Sequence, residues 1–268
     1  MTVGRQQTTE NRQQTTRSAL LALALLLLVG AAAVSCNRNN ACNNCQDIVT
    51  GIPWTTPESH TYQLRDGSDD KGRAVLSIEQ QGDRLSLTQA FSDDKGNSDE
   101  SNVLVDPQTL KPASATRTII DSDVRNVVES SYEAVDSGQC SAGTIVRIKQ
   151  STYKPPNATE PDSQRSNPLC VPLHAYDNDT SLFVWRTMKF EKGYVVTYKT
   201  VLANRRDTQV VTLEVRDKVE IDVPAGHYEA WLVFIEADRR TQQAWFATTP
   251  DHLLVKYHNQ SLDFLLTE

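Results

Sequence analysis

VTLEVRDKVEIDVPAGHYEAWLVFI, residues 211–235, decides the fold. Val211, Leu213, Val215, Val219, Ile221 and Val223 hold odd positions, and a period of two places them on one face of a long strand. Pro224-Ala225-Gly226 then has the Pro and Gly spacing of a type I reversal. The chain returns as Tyr228 to Ile235 with both faces apolar, as expected of a strand lying between a packed core and either a second layer or an apolar cavity.

The same alternation extends in both directions. Ala74, Leu76 and Ile78, the turn Gln81-Gly82-Asp83, and Leu85 with Leu87 form a hairpin pattern. Asp93 to Asn97, Asp121 to Asp123 and Glu191 to Gly193 are turn clusters at strand-length intervals. Tyr194, Val196 and Tyr198 share one face, and Trp245-Phe246, Leu253 to Tyr257 and Leu262 to Leu266 give three more short strands. Helical stripes are almost missing. The expected fold is all-β: about twelve antiparallel strands in one strongly curved sheet that forms an open barrel or sandwich.

Upstream stands a different kind of segment. Sixteen apolar residues, Ala19 to Val34, follow Arg5, Arg12 and Arg17 and end at Ala33-Val34-Ser35-Cys36. A spanning helix needs roughly 20 apolar residues, and this run is shorter and closes on small residues, so residues 1–35 read as an export signal peptide. The four residues up to Cys36 resemble the lipobox of bacterial lipoproteins, whose cysteine receives diacylglycerol before the signal is cut. Ala33 stands where that box usually has Leu, and an ordinary cut after Ala33 or Ser35 would give a soluble secreted protein. With Cys36 acylated, each buried methylene contributes about 0.8 kcal/mol to attachment. The expected address is the outer face of the cytoplasmic membrane, or the outer membrane. Residues 36–57 carry no period and read as a lipidated cysteine on a flexible tether, with a single β domain from 58 to 268.

Residues 1–35 hold three Arg and one Glu, so the chain from Cys36 onward has 24 basic and 33 acidic residues, a net charge of −9 against −7 for the whole. A chain of that sign without a basic cluster is not expected to bind nucleic acid. Setting Cys36 aside leaves Cys42, Cys45, Cys140 and Cys170, an even set suited to an oxidising compartment. Cys140 and Cys170 flank a Pro-rich segment that reads as a long irregular loop. Cys42-Asn-Asn-Cys45 suits a local disulfide, and cross-pairing with the other two cysteines, a half zinc site and a redox pair are the alternatives.

No HExxH, Gly-x-Ser-x-Gly, P-loop or GxGxxG string occurs, so no catalytic residue, cofactor or metal is assigned. Two features carry some chemistry. Leu182, Val184, Met188 and Phe190 share the parity of Arg186, so a strand here would aim a guanidinium into an apolar row, as Asp217 interrupts the row from Val211 to Val223. An internal ion pair, or a bulge that turns the charge outward, explains them. The sharper reading makes Arg186 the anchor of an anionic headgroup, with Trp185, Trp231 and Trp245 as the apolar wall. His174, Asp177 and Asp179 lie close together and suit a capped turn, an oxygen-rich ion site or the acidic cluster of an envelope hydrolase.

Asp106 to Pro112, Tyr176-Asp177-Asn178 with Ser181-Leu182, the string Val223-Pro224-Ala225-Gly226-His227-Tyr228-Glu229-Ala230, then Trp245-Phe246, His252 and Val255-Lys256-Tyr257 occur in an order that resembles an uncharacterised family of bacterial envelope proteins. The resemblance runs from about residue 100 to the C-terminus and implies an open barrel similar in outline to lipoprotein and lipid carriers. The function expected is that of a membrane-anchored, non-catalytic lipoprotein. Its ligand would be an apolar or amphiphilic envelope molecule or a protein partner, and the alternative is an enzyme built on His174, Asp177 and Asp179.

Overall fold

A computed structural model describes residues 42, 44–136, 138–238 and 240–268. The signal segment 1–35 and Cys36 lie outside the described residues. Among the described residues fifteen strands form one sheet. The first eight are β1 (Glu58–Asp66), β2 (Asp69–Gln81), β3 (Arg84–Ser92), β4 (Ser98–Val105), β5 (Pro112–Asp121), β6 (Val124–Ala134), β7 (Gly143–Tyr153) and β8 (Ser163–Pro172). The remaining seven are β9 (Tyr176–Asp177), β10 (Val195–Leu202), β11 (Asp207–Val223), β12 (Gly226–Ala237), β13 (Arg240–Ala247), β14 (Leu254–His258) and β15 (Asp263–Leu266).

The order across the sheet is β8-β7-β6-β5-β4-β3-β2-β1-β15-β14-β13-β12-β11-β10-β9. Two meanders therefore meet at β1 and β15, where Tyr62 faces Leu266 and Leu64 faces Phe264. All pairs are antiparallel except β9 with β10. The all-β expectation holds, with fifteen strands rather than about twelve. One of the additions is β8, whose residues Ser163 to Pro168 are exposed on both faces and so carry no apolar period. The segment between Cys140 and Cys170 is accordingly a β7–β8 hairpin and not an irregular loop, and the structure joins those two cysteines in a disulfide.

The chain passes from the β8 edge to the β9 edge in residues 173–175, and residues 178–194, which lead from β9 to its neighbour β10, lie against the inner side of the sheet. Here Ser181–Val184 form a short helix, α1, between 3₁₀ turns at Asn178–Thr180 and Trp185–Thr187. The strand expected through Arg186 is absent. Asp177 caps the first turn by accepting from the Asp179 amide, and Ser181 to Met188 are buried on every side, a pattern that alternation cannot report. The edges come together around this plug without a ladder: Val128, Val146, Ile148 and Val171 pack with Ala175 and Val201. Gln150 Nε2 also donates to the Ala203 and Asn204 carbonyls, at 3.2 and 2.7 Å. The barrel is curved and open.

Residues 46–54 are part of this domain, which corrects the tether boundary at 57. The Gln46 amide donates to Thr197 O of β10 at 3.0 Å and the Thr50 amide to Thr187 O at 2.9 Å, and Ile48 and Trp54 are 0 % and 7 % exposed. An isolated Ile and Trp give no period, so burial here was invisible to pattern reading. Cys42 and Cys45 are bridged to each other.

Candidate functional site

The inner face of β3–β6 carries polar side chains where a sheet core normally has aliphatic ones. Gln89 of β3 faces Ser101 of β4, which faces Arg117 of β5; Asp99 precedes Ser101 in the same inward row as Val103 and Val105. Ser130 and Tyr132 of β6 complete the row. Into this patch the capped turn after β9 places Asp177 and Asp179. Arg117 joins the carboxylates: its Nε and Nη2 donate to Asp99 at 2.8 and 2.6 Å, and its Nη1 to Asp179 at 3.0 Å. Tyr132 Oη donates to Asp177 Oδ2, the Asp179 amide to Asp177 Oδ1 at 2.8 Å, and Gln89 Nε2 to the Asp179 carbonyl.

Three carboxylates and one guanidinium away from water cannot all be comfortable in charged form. Burial, reinforced by the neighbouring Asp179 charge, pushes the Asp177 carboxyl up to about 7, against the pull of the Tyr132, Asp179 and Arg117 donors. Asp179 is raised as well, by burial and by Asp99, with Arg117 opposing. Arg117 is held more firmly protonated than usual, because the surrounding carboxylates outweigh its own burial. The cluster is a hydrogen-bonded network that ties Asp177 and Asp179 to β3–β6.

His174 does not join it. Its contribution is a backbone carbonyl that accepts from Lys111 Nζ at 3.0 Å, and Lys111 also pairs with Asp47 and lies 3.6 Å from the centre of the Tyr176 ring. The acidic cluster expected from His174, Asp177 and Asp179 is thus a pair of structural acids with a histidine directed elsewhere. Among the described residues no group of three or more His, Cys, Asp or Glu side chains is arranged to hold a metal ion.

Arg186 is sealed rather than open to a ligand. It is 4 % exposed, its Nη1 and Nη2 both donate to Glu58, and Nε and Nη2 reach the His252 and Asp251 carbonyls at 3.2 and 3.0 Å. Trp54, not one of the three expected tryptophans, stacks on it, 5.0 Å from guanidinium carbon to ring centre. Burial raises the Glu58 carboxyl, but His60 and Arg186 outweigh it and hold the group down at about 2. The three expected wall residues are dispersed. Trp185 is buried and donates to Tyr198 Oη at 2.8 Å. Trp231 and Trp245 sit at half-buried sheet positions of opposite parity, since Leu232, not Trp231, faces Trp245. Asp217 is turned out at the irregularity between Val215 and Lys218 and pairs with Lys192 at 2.5 Å.

A family model described as a protein of unknown function, DUF3108, matches residues 61–264. The chain belongs to this family. Two crystal structures are similar to the DUF3108 chain. A β-barrel-like protein with a domain of unknown function, DUF1849, from Brucella abortus is 12 % identical, with a TM-score of 0.37 over 78 % of this chain and 95 % of that one. A candidate exported protein with a YmcC-like fold from Bacteroides fragilis is 10 % identical, with a TM-score of 0.29 over 82 % and 98 %. Among curated proteins none matches the sequence.

Sequence reasoning passed over the residues that organise the interior of this DUF3108 domain: Gln89, Asp99, Arg117 and Tyr132. Their signal was parity. Asp99 and Ser101 continue the row of Val103 and Val105, and Arg117 stands between Ala115 and Ile119, so each was due to point inward. An open groove of about 550 Å³ lies elsewhere, lined by Gln63, Asp70, Arg73, Asp93 and neighbours, and none of the expected site residues reaches it.

Proposed function

We propose that this chain is an exported, membrane-anchored, non-catalytic lipoprotein whose β domain binds an amphiphilic envelope molecule. The observation that carries this reading is the cysteine inventory. Cys42 pairs with Cys45 and Cys140 with Cys170, so the one cysteine outside these bridges is Cys36, at the end of the lipobox-like tetrapeptide. Two disulfides suit a chain that folds outside the cytoplasm, and a fifth cysteine placed directly after a signal-like segment suits acylation.

The interior supports a binding role over a catalytic one. Each acid of the cluster is taken up by Arg117, Tyr132 or a backbone amide, and the charged neighbours of the His174 ring are Lys111, Asp47 and Lys199 rather than Asp177 or Asp179. An amphiphile is favoured because the sheet presents large apolar side chains on its outer face at Leu232, Phe234 and Trp245, all half-buried.

The test is native mass spectrometry with lipid extraction on the mature protein purified from its own envelope. A reproducible co-purifying amphiphile is expected. A protein that is empty in every preparation, or one that turns over an ester or glycoside substrate in a manner abolished by Asp177→Asn, contradicts the reading.

A further inference from the structure

The outer face of β10–β15 is the part of this molecule whose composition a freestanding domain does not need. Val195 of β10 is 51 % exposed and stands opposite Glu214, which stands opposite Phe234. Leu232 shares the parity of Phe234 and faces Trp245; Trp245 faces Lys256, and Lys256 faces Leu265. The pairings make two adjacent rows, Val195–Glu214–Phe234 and Leu232–Trp245–Lys256–Leu265, which meet on β12, so the apolar side chains form one stripe interrupted by Glu214 and Lys256. Two cations lie along it: Arg216 over the Phe234 ring at 4.7 Å and Lys256 over the Trp245 ring at 5.1 Å. Each is also held by a carboxylate, Arg216 by Glu214 at 2.8 Å and Lys256 by Asp263 at 3.3 Å, which leaves the stripe close to neutral.

Large aromatics mixed with long cationic side chains are suited to the layer where lipid headgroups meet acyl chains, because ring and methylene stems enter the apolar zone while the charged tips stay with phosphate and water. The position of the tether selects the membrane over other occupants. Gln46 is fixed to Thr197 of β10, two residues from Val195, and Cys36 is ten residues before Gln46. Ten residues of extended chain reach at most roughly 35 Å, so an acyl group on Cys36 would hold the β10 end of the stripe close to the bilayer. At that distance even a weak surface contact is strengthened by a high effective concentration.

We infer that the outer face of β10–β15 docks on the phospholipid surface to which the chain is tethered, an inference that rests on the reading of Cys36 as the lipidated residue. The near-neutral stripe on a domain of net charge −9 requires that apolar area and ring contacts, not bulk charge, carry the contact. The lipid recognised is therefore zwitterionic, and added anionic lipid brings no gain.

The test uses the full exported chain reconstituted in phosphatidylethanolamine vesicles with a minority of phosphatidylglycerol, with acyl chains brominated near the headgroup end to quench tryptophan. Trp245 is expected to be quenched by at least about twofold, as befits an interfacial ring. Trp245→Phe should remove that component, and Trp231→Phe, on the opposite face, should leave it in place. Mass analysis of the amino terminus of the same sample reads the anchor separately. An acylated Cys36 with an unquenched Trp245 overturns the docking and leaves the anchor standing. A terminus without acyl groups overturns the anchor and the docking with it. An unquenched Trp245 in a dimer that Leu232→Asp dissociates assigns the stripe to a second copy of the chain and also overturns the docking.

Discussion

The two arms of the sheet solve the same packing problem with opposite chemistry. From β3 to β6 the inner face sets Gln89, Asp99, Ser101, Arg117 and Ser130 beside Leu85, Leu87, Val103 and Val105, while the outer face is ordinary polar surface such as Thr88, Glu100, Thr116 and Glu129. From β11 to β14 the inner face is Leu213, Val215, Val233, Ile235, Ala244 and Phe246, and the outer face carries Leu232, Phe234 and Trp245. One arm is tied to Asp177 and Asp179 by a directional ion network, and the other is held by contact area. The lesson is that alternation fixes which way a side chain points, while the material it meets there decides which residue the position needs.

The largest effect is expected where the network has a single cation. Arg117→Met leaves Asp99 and Asp179 covered and without their partner, and unfolding by urea should show a loss of about 3–5 kcal/mol, as for other broken buried pairs. A loss under about 1 kcal/mol would mean that the polar arm is not held this way.

Next in size is the Cys140–Cys170 bridge, which spans 30 residues and ties the β7–β8 hairpin at the free edge. Replacing both cysteines by Ser should cost roughly 3–4 kcal/mol by the loop-closure relation, read as a lowered melting temperature in the oxidised protein. An unchanged melting temperature would show that β8 contributes nothing to the cooperative unit.

A smaller effect belongs to Asp177. Its folded value is raised to about 7 from an ordinary 3.8, so the folded chain holds this proton more tightly than the unfolded chain does. The stability it contributes is present in full below about pH 4 and is lost as pH rises through about 7. Wild type should therefore weaken by a few kcal/mol between about pH 5 and about pH 8, and Asp177→Asn should flatten that profile. Parallel profiles would remove Asp177 from the explanation. Glu58 runs in the other sense. Its depressed value adds stability above about pH 4.5 that is lost as pH falls toward about 2, below the window of that comparison.

The smallest effect is on the outer face of the apolar arm. Leu232→Ser should change stability by no more than about 1 kcal/mol, because the side chain is only half-buried and packs against one layer. A loss near that of Arg117→Met would show that the stripe is core and not surface.

Much of this architecture could be read from alternation. The reversal at Pro224 to Gly226 and the hairpin through Gly82 are where periodicity placed them, but the single apolar face expected from Val211 to Val223 is not: the bulge between Val215 and Lys218 adds one residue to β11, so Val219, Ile221 and Val223 fall on the face opposite that of Val211, Leu213 and Val215. Three regions escaped it for separate physical reasons. Residues 180–188 are buried all round, so their apolar positions carry no period that tells a short helix from a strand. Strand β8 is exposed on both faces at its start and has no apolar row at all. The interior cluster joins Asp99, Arg117, Tyr132 and Asp177, residues far apart in the chain, and only the folding of the sheet brings them together. Arg186 is buried, but on a 3₁₀ turn and not on the expected strand, and its partner, Glu58, comes from a strand 128 residues away and left no trace in the local pattern.

The measurement that bears most directly on the proposed role is the intact mass of the mature chain isolated from its own membrane. A chain beginning at Cys36, carrying diacylglycerol on its sulfur and retaining both disulfides, is the expected result. A chain that still begins at Met1, or one cut after Ala33 or Ser35 and free of lipid, would contradict a membrane-held function for this domain.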